Sequence, residues 1–286
     1  MGVKLVTDST SYISEELIHE YDILITSLNV ILQGKSYREV SLDNKYFYEL
    51  MDQEMEIPTS SQPSIEELLD TFKSIVKSGN DVVGVFLSSD MSGTYSSAHL
   101  AKNMVLEEYP NARIEIVDSR TNCMQMGFQV IEGAKAAKEG KSIEEVVEVV
   151  NKVVNASRFL FVPDTLRYLK KGGRIGGAAA LFGTILQIRP ILTVRDGITS
   201  VFEKVRTKKK AVNVIVDKVL DDIENYGLGD VIVHHINCAE EGRELAKRLE
   251  EELNIPIKIQ SIGPIIGLHV GPGSIGVAYF TKNELP

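Results

Sequence analysis

The chain has 286 residues, of which 43% are hydrophobic and 25% charged, and its net charge is -9. That length buries a sizeable core, and the composition is that of a folded protein, not a disordered one. A diffuse acidic balance excludes a general nucleic-acid binder, which needs a basic face against phosphate.

In chain order, residues 3–7 are a short β-rich run, entered without the apolar core of a signal peptide. Met1-Gly2 opens a myristoylation pattern, but position 6 is Val6 and the pattern fails. Ser14 caps a short helix led by Glu15 and Glu16, and residues 23–32 are apolar enough for a second strand that Gly34 ends. Residues 43–51 read as a helix. Residues 58–64 read as a polar loop between prolines; Ser64 then caps a helix over 65–77, with Glu67 completing a capping box. The apolar run 81–87 predicts a strand covered on both faces. The loop 88–94 follows, then a helix to about Glu108, a strand over 113–117, and helices over 124–138 and 142–155. Strands alternating with helices argue for βαβ units and a parallel sheet.

After a strand at 159–162 the pattern changes. Residues 167–177 are basic and glycine-rich, and 191–205 read as a hairpin turning at Asp196-Gly197. A helix over 207–225, a strand over 230–236, a helix over 240–253 and strands over 257–261 and 276–281 complete the chain. The expected fold class is α/β: a parallel-sheet N-terminal domain over 1–162 with helices on both faces, plus a smaller α/β C-terminal domain over 163–286. No run reaches membrane-spanning length, and a cytoplasmic protein with no stable membrane insertion is expected.

The chemistry concentrates at Ser88-Ser89-Asp90-Met91-Ser92-Gly93-Thr94, between a buried strand and a helix. In an open α/β sheet this loop lies at the carboxyl edge of the strands, where ligands bind. Hydroxyls, a helix start and a glycine make an anion cradle. Thr59-Ser60-Ser61 is a second hydroxyl cluster. In His269-Val270-Gly271-Pro272-Gly273 the glycines and proline imply a tight turn that aims the imidazole. His234 and His235 in a strand face opposite ways, one in and one out. The run Lys204–Lys210 sets basic residues at a helix start against the dipole, an arrangement a partner or anion explains better than stability does.

Other patterns fail their context. Gly271–Gly276 has dinucleotide-like glycine spacing but precedes a β-like run, and Gly140-Lys141-Ser142 lacks the upstream glycine of a phosphate loop. No Gly-x-Ser-x-Gly elbow and no metal-ligand spacing exists, and Cys123 and Cys238 form no paired motif. No metal and no cofactor are expected.

Taken in order and spacing, Thr7-Asp8-Ser9-Thr10, Ser60-Ser61-Gln62-Pro63-Ser64, Ser88-Ser89 with Ser92-Gly93-Thr94-Tyr95, Gly172-Gly173-Arg174-Ile175, Arg189-Pro190-Ile191-Leu192, Arg206–Lys210 and His269–Gly273 resemble the DegV family of bacterial fatty-acid-binding proteins, end to end. The resemblance implies a carrier of one long-chain fatty acid such as palmitate, not an enzyme. The acyl chain would lie in an apolar tunnel of the first domain, with residues 124–137 and 178–188 as candidate wall. By motif match the carboxylate would meet Ser60, Ser92 and His269, with Thr59 or Ser61 as alternatives to Ser60, and Gly93 and Thr94 beside Ser92. The bound acid would be handed to a fatty acid kinase, in service of phospholipid metabolism, and Arg174 and Arg206 become candidates for kinase docking. The rival reading is a hydrolase or transferase of acyl or phosphorylated substrates, with a loop serine as nucleophile and His269 as base.

Overall fold

The computed structural model describes residues 2–53, 57–182 and 188–286. Its elements run β1 Val3–Asp8, α1 Glu15–Tyr21, β2 Leu24–Thr26, β3 Asn29–Leu32, β4 Lys35–Arg38, α2 Asn44–Gln53, β5 Thr59–Ser61, α3 Ile65–Lys77, β6 Asp81–Phe86 and α4 Thr94–Glu108. There follow β7 Ile114–Asp118, α5 Cys123–Lys138, α6 Ile143–Ala156, β8 Ser157–Val162, α7 Arg167–Lys171, β9 Arg189–Arg195 and β10 Ile198–Val205. The chain ends with α8 Lys208–Tyr226, β11 Leu228–His235, α9 Ala239–Leu253, β12 Lys258–Ser261, α10 Pro264–Val270 and β13 Ile275–Thr281. The whole is an α/β protein, as the alternation of periods requires. Among the described residues no helix is long and apolar enough to cross a membrane.

Two units form. The first comprises Met1–Asn29 and Ser61–Asn155, the second Val30–Ser60 and Ala156–Pro286. A single cut at 162 therefore gives way to a split in which residues 30–60 join the C-terminal half. Long-range bonds within the second unit give the physical reason. Glu39 Oε1 accepts from the Ile265 N–H at 2.8 Å, and the Tyr48 hydroxyl donates to the Ile262 carbonyl at 2.8 Å.

The first unit carries a parallel sheet in the order β2-β1-β6-β7. Side chains alternate across it. Val6, Val82 and Phe86 pack with Leu68, Phe72 and Ala98 of α3 and α4. Leu5 is close to Gly133 of α5, where Val146 and Val150 of α6 also meet it. Helix α5 is buried around most of its circumference from Cys123 to Ala136, with Lys135 exposed. Ser64 caps α3 as expected, accepting from the Glu67 N–H at 3.1 Å.

The second unit holds a six-stranded mixed sheet, β10-β9-β8-β13-β11-β12, and a three-stranded sheet, β4-β3-β5. Its core joins Leu160, Ile191, Val233 and Val277 of the sheet to Ile215 and Val219 of α8 and Leu245 and Leu249 of α9.

Three expectations change here. The apolar stretch 23–32 is two strands, because the Ser27 N–H goes to Glu67 Oε1 and the Leu28 N–H to Ser9 Oγ, which takes both amides out of any ladder. The polar run 58–64 contains strand β5, paired at long range with β3. His234 and His235 do face opposite ways, toward Phe159 and Gly242, but both are buried.

Candidate functional site

In the first unit the hydroxyl loop leaves the carboxyl end of β6. The Ser88 carbonyl accepts from the Met91 and Ser92 N–H groups at 2.9 and 3.1 Å, closing a turn. That turn sets Ser92 Oγ 2.9 Å from Thr94 Oγ1 and within 3.3 Å of the Thr94 N–H. Gly93 opens α4 without a side-chain cap, and a Cβ there would overlap the Gln62 carboxamide, so a larger residue would have to displace that side chain. Gln62 is held in turn by donating to Ser97 Oγ. The loop thus offers two linked hydroxyls at the positive end of a fifteen-residue helix, an environment suited to an anion.

Its base is braced from neighbouring strand ends. The Leu87 N–H donates to Asp8 Oδ2 at 2.8 Å, the Ser88 N–H to the Thr121 carbonyl at 2.8 Å, and the Ser89 N–H to Asp118 Oδ1 at 3.2 Å. Arg120 binds Asp90 at 2.8 Å and Asp118 at 3.2 Å.

In the second unit Ser60 Oγ lies 2.9 Å from His269 Nε2. Alternation along β5 puts Thr59 and Ser61 on the other face from Ser60. His269 sits near the end of α10, a helix the sequence reading missed, and the expected turn follows it at Gly271 and Gly273, both with positive φ. Pro264 starts α10, and Glu39 receives the Ile265 N–H at its first turn. Gly267 leaves room for the Tyr48 hydroxyl, and Gly172 leaves room for the His269 ring; a Cβ at either glycine would overlap these groups. Burial first, and then the Arg174 charge, push the His269 imidazole down to about 4, so it is neutral near pH 7. Among the described residues its Nδ1 has no hydrogen-bond partner.

A family model described as an uncharacterised protein of the DegV family matches residues 2–282. The chain belongs to the DegV family. A DegV domain-containing protein of Clostridium acetobutylicum is 52% identical over 285 residues, covering 100% of both chains. The crystal structure of DegV from Bacillus subtilis, described as a fatty acid binding protein, matches with a TM-score of 0.88 and 34% identity, over 99% of this chain and 100% of that one. A stearic acid-binding protein from Eubacterium ventriosum matches with a TM-score of 0.89 and 29% identity, over 98% of each chain.

The remaining candidates of this DegV chain fall as follows. Arg174 is exposed, donates to the Gly172 carbonyl at 2.5 Å and lies close enough to act on His269 electrostatically. Arg206 is exposed just before α8. Lys208 is spent internally, bonding the Gly273 carbonyl at 2.9 Å and pairing with Glu241, so stability accounts for that part of the basic run. Of the stretch 178–188, residues 183–187 lie outside the described residues. Sequence reasoning passed over Tyr48 and Glu39, and it named Asp8 within the Thr7-Asp8-Ser9-Thr10 motif without giving it a role.

Proposed function

We propose that the chain binds one long-chain fatty acid, with its carboxylate received by the hydroxyls of Ser60 and Ser92 and by the His269 imidazole, and presents it to a fatty acid kinase. The observation that carries this reading is the Ser60–His269 hydrogen bond to a neutral imidazole. With the proton on Nε2, the ring donates to Ser60 Oγ and frees the Ser60 O–H to donate to a carboxylate, so His269 acts on the carboxylate through Ser60. The same tautomer leaves a lone pair on Nδ1, which the Arg174 charge favours over an N–H. Ser92 with Thr94, taken on its own, is a second donor pair of the same kind.

The energetics fit a carrier. Each buried methylene contributes about 0.8 kcal/mol, so an acyl chain supplies ample attraction. A carboxylate cannot enter a dry site unpaired, and hydroxyl donors satisfy it without a fixed opposite charge. The two related structures named above, described as a stearic acid-binding and a fatty acid binding protein, support the ligand class.

The enzyme reading draws on the same serine–histidine pair. It is the weaker one, because a base at about 4 is mostly inert toward a serine hydroxyl and, among the described residues, His269 Nδ1 has no orienting carboxylate. Lipid extraction from natively purified protein followed by mass spectrometry tests the carrier. The expected result is a stoichiometric long-chain acid; no extracted acid and no uptake of added palmitate or oleate overturns it. For the kinase step, Arg174→Ala and Arg206→Ala are expected to slow acyl phosphorylation while palmitate binding persists. Unchanged phosphorylation removes those residues.

A further inference from the structure

We infer that Asp8 is a positioning residue for the hydroxyl loop, a carboxylate that fixes where the Ser92–Thr94 donors stand; this rests on the carrier reading above. Asp8 is fully buried at the end of β1. Its Oδ1 accepts from the Thr10 N–H at 2.9 Å and the Thr10 hydroxyl at 2.5 Å, and its Oδ2 accepts from the Leu87 N–H at 2.8 Å. Leu87 is the last residue before the loop. From Leu87 the path is short: the backbone leads to Ser88, whose carbonyl holds the Met91 and Ser92 amides, and Ser92 Oγ meets Thr94.

Three donors converging on one side chain require a carboxylate. An amide there would turn its NH2 toward at least one N–H or O–H, and a protonated acid would bring a fourth hydrogen. Among the described residues no cation bonds Asp8. The charged groups of the same edge are engaged elsewhere: Asp118 and Asp90 with Arg120, and Glu67 with the Ser27 N–H; the Cys123 thiol lies buried at the start of α5. Burial accordingly raises the Asp8 carboxyl to about 6 despite its three donors. The fold thus keeps a desolvated anion at neutral pH, at a cost that its three hydrogen bonds offset only in part. Such an expense is characteristic of a functional edge.

The test uses the full chain with palmitate as probe. Carboxyl-detected NMR of 13C-labelled protein follows the Asp8 titration with and without palmitate, and affinity is measured for wild type, Asp8→Asn and Thr10→Ala. The expected results are an Asp8 midpoint that moves by at least 0.3 pH unit on palmitate binding, and an affinity about tenfold lower in Asp8→Asn, the size of one lost charged hydrogen bond. Thr10→Ala removes one donor only and is expected to show a smaller loss, which covers the case in which Asp8→Asn does not fold. An identical midpoint in both states, with variant affinities within about twofold of wild type, overturns the inference. If the wild type takes up no palmitate, the carrier reading fails instead; the Ser92 and Thr94 amide shifts then decide the positioning role, because they must follow the Asp8 titration if the role holds, and their indifference overturns it.

Discussion

Each unit buries an aspartate completely, and the two are satisfied in opposite ways. Asp222, in α8 of the second unit, meets Arg158 at 2.7 Å, Lys218 at 2.9 Å and the Tyr279 hydroxyl at 2.6 Å. Asp8, in the first unit, meets three neutral donors and, among the described residues, no cation. Asp222 is neutralised by charge and ties a helix to the strands β8 and β13, the usual work of a buried ion pair. Asp8 holds its charge by hydrogen bonds alone, at the strand edge where α/β proteins bind ligands. A buried charge with a full set of counter-ions points to structure, and one without them points to the loop it holds.

The largest test of this contrast is to remove Asp222. Asp222→Ala leaves Arg158 without its partner in the protein interior and is expected to cost about 3–5 kcal/mol in urea unfolding. A loss below about 1 kcal/mol would place Asp222 with the weak surface pairs and dissolve the comparison.

Acidification should then separate the units. His234 and His269 are pushed down to about 3 and about 4, chiefly by burial, so their neutral forms stabilise the second unit above pH 6.5 and that contribution fades as pH falls. Asp8 has the reverse sign. Its folded value lies above the ordinary 3.8, so its ionisation weakens the first unit as pH rises toward 6, and lowering pH restores stability. Between pH 7 and pH 5 the second unit is expected to lose about 2 kcal/mol per histidine while the first gains about 1 kcal/mol. Amide exchange, corrected for its intrinsic pH dependence, reads both units in one experiment. Parallel losses in the two would break the contrast.

Smaller in effect is Gly172→Ala, which drives a methyl into the His269 ring. An overpacking cost of about 1–3 kcal/mol is expected in the second unit, together with weaker palmitate binding. Smallest is Arg206→Ala, expected to leave unfolding within about 0.5 kcal/mol of wild type because the side chain is exposed. A larger change would give Arg206 a structural role.

Much of this was readable from local pattern. The strand at 3–7 is a β-rich run, that at 81–87 an apolar one, Ser64 is a plain cap, and the loop 88–94 stood out by its hydroxyls. The break inside 23–32 was not readable, because the groups that take those amides, Ser9 and Glu67, lie far along the chain. Helix α10 was missed for a similar reason. It is seven residues long with a glycine inside, and Glu39, which receives its leading amide, is 226 positions away. Ser60 and His269 could be named from motif order, but their hydrogen bond spans 209 positions and left no local trace.

That span has a consequence for synthesis. Residues 30–60 leave the ribosome early, yet the groups that Glu39 and Tyr48 bind, at Ile262 and Ile265, are among the last made. At about 5–20 residues per second the wait is roughly 10–45 s. Until then the segment lacks the partners it has within its own unit. Newly made chains are therefore most exposed to aggregation and to proteases in this segment, and completing the last two dozen residues ends that exposure.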